Sequence, residues 1–371
     1  MDDLHEMEQV QDNTFINDLR DSSDFRGTTF SGYKKTDVKK QLLLSVFNSK
    51  VEQSCYWSAE MVCAGQYMDL WEILLFYLGK HIHLGNPKIA IYLQKRFHVF
   101  RNIMIQGAFY DELQLRNNPT IRNMFAEIFV VFCISPKKPS MEPVKINKDE
   151  EFDIVNMTEK LKAPSTEYSL GIMKKEDPKE LTIAVNEFAY HISRTNHVPN
   201  MSQACYWVEW IIAFDNVCKK RKQPCIAANR ENIPVEFKYQ KEVIWIIWDA
   251  LFLAIEDDPF LKTLLNSVLE LFCLKFTPAL IRKRHYLLYY AISIVTEPFT
   301  RNIEMINNKP LVENTIKNIS TVYKQIKKNE VAPQTDYLFA GLHNPSNTQK
   351  SIERMNLVMG ASSFPTLNDD L

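Results

Sequence analysis

The side chains that could do chemistry in this 371-residue chain are a His-x-His pair, two carboxylates set in apolar runs, and seven cysteines. His81 and His83 form a fragment of a metal site. On a helix, residues i and i+2 point to different faces, so the two imidazoles cannot easily share an ion. No third histidine or carboxylate follows at ligand spacing. Cys218 and Cys225 have only His191 and His197 as histidine neighbours, which does not make a four-ligand zinc set, and they read as free thiols. Glu60 follows Trp57 by three residues, whereas Glu209 follows Trp207 by two. Equivalent catalytic acids belong at equivalent positions, so capping, or pairing with Lys or Arg from a neighbouring helix, is the expected role. Glu256-Asp257-Asp258 reads as the end of one helix and the cap of the next. The chain has no Gly-x-Ser-x-Gly, no phosphate-binding loop and no dinucleotide fingerprint. The sequence therefore predicts no catalytic residue, no cofactor and no metal.

Two cationic runs, Lys219-Lys220-Arg221-Lys222 and Arg282-Lys283-Arg284, are the candidate contact residues. A nucleic-acid reader usually combines such runs with net positive charge, but 44 Lys and Arg against 45 Asp and Glu leave −1. Contact with an acidic protein surface, such as the acidic arm of a neighbouring copy, fits at least as well. A localisation signal is a third use. No specific nucleic-acid partner is expected.

The elements that would position these groups are helices. Glycine is scarce, nine in all, with none between Gly171 and Gly341. Tight-turned sheets and phosphate-cradling loops both lean on glycine, so this long stretch is easier to build from helices. Asn86-Pro87, Asn118-Pro119, Asp177-Pro178, Asp258-Pro259 and Thr277-Pro278 each place a capping side chain before a proline, which predicts five helix starts. Gln53-Ser54-Cys55-Tyr56-Trp57 returns as Gln203-Ala204-Cys205-Tyr206-Trp207 at an offset of 150 (207 minus 57). A second pair, Trp71-Glu-Ile-Leu-Leu and Trp248-Asp-Ala-Leu-Phe, follows each copy. A duplicated helical module is the expectation. Cys55, Tyr56, Trp57, Trp71, Cys205, Tyr206, Trp207 and Trp248 are then the structural core of the two copies, in preference to a repeated ligand pocket.

The expected fold class is all-α: two tandem related helical-bundle modules with extended N- and C-terminal arms. Residues 1–36 are the acidic arm, with eight acids and two bases in the first 30. Residues 37–134 form module 1 and 135–176 a proline-bearing linker. Residues 177–330 form module 2, ending in a helix from Pro310 to Lys328 with the stripe Ile316, Ile319, Tyr323 and Ile326. Residues 331–371 form a polar tail with Tyr337, Leu338, Phe339, Met355, Leu357 and Phe364 as apolar anchors. Hydrophobic residues make up 46% and charged residues 24%, the balance of a globular protein. The acidic start and the short apolar runs predict no signal peptide and no membrane span. The odd cysteine count without Cys-x-x-Cys predicts reduced thiols in an intracellular setting.

The stretch Lys50-Val-Glu-Gln-Ser-Cys-Tyr-Trp-Ser-Ala-Glu, with Asp69-Leu-Trp-Glu-Ile and His83-Leu-Gly-Asn-Pro-Lys, resembles a helical family of the nucleocytoplasmic large DNA viruses, grouped with their minor capsid proteins. The resemblance covers residues 38–104 and is weaker over module 2. It implies a structural, non-enzymatic component of the virion, assembled in the host cytoplasm beneath the major capsid shell. Its implied partners are the major capsid protein, other minor capsid proteins and the inner viral membrane surface. It carries over no functional residue. The alternatives are a two-repeat adaptor in viral transcription or replication, arranged somewhat like the cyclin fold, and a helical enzyme with a polar cavity near Glu60 or Glu209.

Overall fold

The computed structural model describes residues 14–106, 111–147, 152, 154–195, 197–255 and 257–331. The tail from residue 332, the start of the acidic arm and Glu256 lie outside the described residues. Among those described, every regular element is helical, apart from one isolated bridge between Thr28 and Lys34. The main helices are α1 (Lys35–Phe47), α2 (Val51–Cys63), α3 (Tyr67–Tyr77), α4 (Lys88–Gln106) and α5 (Pro119–Ile134), then α6 (Thr182–Ile192), α7 (Met201–Lys220), α8 (Ile244–Leu253), α9 (Pro259–Phe272), α10 (His285–Thr296) and α11 (Lys309–Lys327). The chain divides into two compact units. Among the described residues, one holds 14–77, Lys95–Pro136 and 304–331; the other holds Leu78–Gln94 and 137–303.

Helix starts follow side-chain capping where the side chain is free to cap. Asn118 accepts from the Ile121 amide and Asp258 from the Leu261 amide, each at 3.1 Å, with proline next in the chain. Asn200 and Asn308 cap α7 and α11 in the same way. Asp177 departs from the expectation. Its carboxylate takes both ends of the buried Arg230 guanidinium (2.6 and 2.8 Å) and the Lys174 and Ala228 amides, so it pins loops and caps no helix. α3 stops at Tyr77 and the chain continues as a π-helical turn, Leu78–Ile82. The helix expected to open at Thr277-Pro278 is a short one, Leu280–Lys283, that breaks at Arg284 before α10.

In the first unit α5 is the central helix. Phe125, Ala126 and every residue from Ile128 to Cys133 are buried, as befits a helix that is apolar all round. α2, α1 and α11 pack on it. Trp71 of α3 sits among Phe97, Phe100 and Phe125, with ring centroids 5.0–5.7 Å away. The arm differs from its expectation over residues 14–36: it is bound down, not extended. Ile16, Phe25 and Phe30 are buried, and Asn117 exchanges two 2.8 Å hydrogen bonds with the Ile16 backbone. The Arg116 guanidinium lies over the Phe25 ring and donates to the Arg20 carbonyl. α11 also falls in this unit and not with module 2, where its sequence position had placed it. Its Tyr323 is buried under the Arg122 guanidinium.

In the second unit α10 is central, with every residue from Tyr286 to Thr296 buried. α9, α7, α8 and α6 pack on it. Trp248 lies 5.5 Å from Phe272. Here the described part of the 135–176 segment is docked chain and not a free linker. The Lys138 and Ser140 amides donate to the Ile82 and Lys80 carbonyls, and Glu187 accepts from the Lys162 and Ala163 amides. Only a glycine fits at position 79, because a Cβ there would lie 2.7 Å from the Tyr286 backbone.

Candidate interaction surfaces

The two Cys-Tyr-Trp copies occupy the same place in their helices. Cys55 and Cys205 are each the fifth residue, of α2 and α7, and each Tyr–Trp pair meets edge-on at 5.1 Å. Trp71 and Trp248 are likewise the fifth residues of α3 and α8. Cys55, Cys205, Trp71, Trp207 and Trp248 are buried, and Tyr56 and Tyr206 are half-buried. Trp57 breaks the pattern: it is partly exposed and edge-on to Tyr33, so it is not a core residue. With Tyr56 it lines a groove of about 820 Å³ between α2 and α11. On its α11 side the groove is lined by Asn314, Thr315, Asn318 and Thr321 together with Leu311, Ile319 and Val322. On α7 the same motif is closed over. Phe152 stands edge-on to Trp210 and Phe214, and the Lys160 ammonium lies 4.7 Å above the Tyr206 ring. Among the described residues the indole N–H groups of Trp71, Trp207 and Trp248 have no hydrogen-bond partner, while Trp245 donates to the Tyr239 carbonyl.

The candidate acids are tied to hydroxyls, not to the expected Lys or Arg. Glu60 accepts from both the amide and the hydroxyl of Ser31, which fastens the N-terminal segment to α2. Glu209 accepts from the Tyr289 hydroxyl at 3.0 Å. Burial pushes the Glu209 carboxyl up, against the pull of that hydroxyl and of Arg282. All seven thiols are free. Burial pushes Cys55, Cys63 and Cys225 up to about 12 and Cys205 and Cys273 well above their ordinary value, so none of these five is a ready nucleophile. Among the described residues no three His, Cys, Asp or Glu side chains gather where they could hold a metal.

His83 is buried with a backbone φ of 48°, and neither ring nitrogen has a well-formed hydrogen bond. Burial, helped by the Lys138 charge, lowers its pKa to about 4. An unfolded histidine titrates near 6.5, so between pH 6.5 and 4 the unfolded chain binds more protons. Stability is therefore complete above pH 6.5 and declines as pH falls to 4, by up to about 3 kcal/mol from this group. Denaturation midpoints of the second unit measured across that range check it. His83→Asn, which tolerates the left-handed backbone, should flatten the slope.

The cationic runs divide. Lys219 is neutralised by Asp215 (2.8 Å) and Glu242 (2.6 Å). Lys220, Arg221 and Lys222 are exposed at the carboxyl end of α7, where the helix dipole favours cations. The Ala227 amide donates to the Lys241 carbonyl, which brings exposed Lys241 alongside this loop. Ile226 and Phe237, 60% and 71% exposed, lie in the same two segments. Arg282 and Lys283 are exposed, but Arg284 is buried and donates to the Phe272 and Leu274 carbonyls at 2.6 and 2.5 Å. It closes the end of α9 and is not a contact residue.

The Arg230–Asp177–Asp249 cluster and the α2–α11 groove carried no sequence signal, since their members lie far apart in the chain. Among the described residues no helix is long and apolar enough to cross a membrane. No family model, curated protein or solved structure matches this chain.

Proposed function

We propose that this chain is a structural, non-enzymatic minor capsid protein that links neighbouring components beneath the major capsid shell of a large DNA virus. The observation that carries the reading is the loop at the end of α7. Three exposed cations with no ion-pair partner among the described residues precede exposed Ile226 in the same loop, and the segment hydrogen-bonded to that loop carries exposed Phe237 and Lys241. Charge with adjacent apolar surface suits a protein partner bearing acidic groups around an apolar anchor. The resemblance over residues 38–104 supports placing that partner in a capsid, with the virion as the site of action. The major capsid protein, other minor capsid proteins and the inner membrane surface are the proposed neighbours.

Reversing the loop to Lys220→Glu, Arg221→Glu and Lys222→Glu should weaken co-assembly with shell proteins at least tenfold, and added salt should weaken the unaltered chain in the same direction. Quantitative co-sedimentation of both forms with assembled shells reads this. Equal binding at all salt concentrations contradicts it. The alternative, a two-repeat adaptor of cyclin-like arrangement in viral transcription or replication, is favoured by the matching helix positions of Trp57 and Trp207 and of Trp71 and Trp248. It predicts salt-dependent binding of a polymerase or nucleic acid through the same loop.

A further inference from the structure

We infer that the groove beside Tyr56 and Trp57 is the seat of the chain's own segment Tyr337-Leu338-Phe339. The surface is distinct from the α7 loop, so the inference stands or falls apart from the proposed function. Three observations lead to it.

The first is the asymmetry between the two motif copies. On α7 the motif face is closed by a passing stretch of the same chain, with Phe152 against Trp210 and Lys160 over Tyr206. On α2 the corresponding Tyr56, with Trp57, faces open volume. The face covered by its own chain on α7 is closed on α2 only on the side where Tyr33 meets Trp57, and stays open towards α11.

The second is reach. Val331 is held in the same unit as the groove: its amide donates to Asp18 Oδ2 at 2.8 Å, and its carbonyl accepts from the Leu19 amide at 3.5 Å. The groove-lining stretch of α11 runs from Leu311 to Gln325, about 21 Å at the helical rise. The six steps from Val331 to Tyr337 span at most about 20 Å. The tether is thus comparable in length to the groove wall, and so short a tether holds the segment at an effective concentration on the order of millimolar.

The third is chemistry. The groove offers Leu311, Ile319 and Val322 opposite two aromatic rings, with amide side chains between them. Residues 337–339 hold two of the three aromatic residues in 332–371, next to Leu338. Aromatic side chains bury large area against such walls, and the Tyr337 hydroxyl can meet Asn314 or Asn318. The later anchors, Leu357 and Phe364, sit on tethers more than three times as long.

The test uses the full chain with a photo-crosslinking benzoylphenylalanine replacing Phe339, mixed in equal amounts with an isotopically heavy copy. Irradiation should join position 339 to residues 51–57 or 311–325, in light–light and heavy–heavy pairs only. Mixed light–heavy pairs would assign the groove to a second copy and overturn the inference. Crosslinks elsewhere, or none, overturn it too. In parallel, Val322→Arg at the half-exposed groove wall, and Tyr337→Ser with Phe339→Ser in the tail, should each speed proteolysis within 337–339 at least tenfold at an unchanged unfolding temperature. The tail variant alters no residue of the packed helices, so it decides the matter if Val322→Arg lowers the unfolding temperature. Unchanged proteolysis in the tail variant contradicts the inference.

Discussion

Trp207→Ala is expected to cost about 3–5 kcal/mol, while Trp57→Ala, the same change at the matching position, costs about 1 kcal/mol. The sequence places both indoles four residues behind a shared glutamine and directly after a shared tyrosine. Burial separates them. Trp207 is fully enclosed in the second unit, and its removal leaves a cavity walled by neighbours such as Trp210 that cannot collapse to fill it. Trp57 lies at a groove edge, where water fills the space left behind. Urea denaturation of the two variants, followed by far-ultraviolet circular dichroism, reads the difference. Equal losses would show that the two copies are packed alike.

Arg230→Met should destabilise the second unit by a similar about 3–5 kcal/mol. The guanidinium is wholly buried and meets Asp177 and Asp249, and the Asp177 carboxylate is buried with it. Methionine matches much of the volume but leaves Asp177 without its cation. In the unaltered chain burial pushes the Asp177 carboxyl up, but Arg230 and the Lys174 and Ala228 amides outweigh this and hold it below its ordinary value. Its contribution is thus complete above about pH 4 and is lost as pH falls through the lower folded value. Without Arg230 the burial effect dominates, Asp177 takes up a proton more readily, and the penalty should shrink as pH falls from 7 towards 4. Denaturation midpoints at several pH values check both the size and the slope. A penalty independent of pH would mean that Asp177 finds another partner.

The helical class was legible because glycine scarcity and Asx-Pro starts are local signals, and Asn118 and Asp258 cap as their sequence implies. Asp177 looked the same in sequence, yet it serves Arg230, 53 residues away, which no local pattern reveals. The Ile316–Ile326 stripe predicted a buried face on α11 but not which unit buries it. Ile16, Phe25 and Phe30 anchor the N-terminal segment without helical or strand periodicity, so acidic composition alone made it read as extended. Arg284 sat in a basic run, and only the carbonyls left at the end of α9 explain its burial. Glu60 is buried and Glu209 half-buried, as acids set in apolar runs suggest; their hydroxyl partners were not legible. Trp57 shows the limit of reading a repeat: a copied phrase preserves local geometry, while the neighbouring helix decides whether it becomes core or surface.

Membership of a virus shell is tested most directly by crosslinking mass spectrometry of particles purified from infected cells. The chain should be present at a fixed ratio to the major capsid protein, with crosslinks from Lys220, Lys222 or Lys241 to other shell proteins. Its absence from purified particles, with the chain recovered from the same cells on polymerase or nucleic acid, would contradict the account.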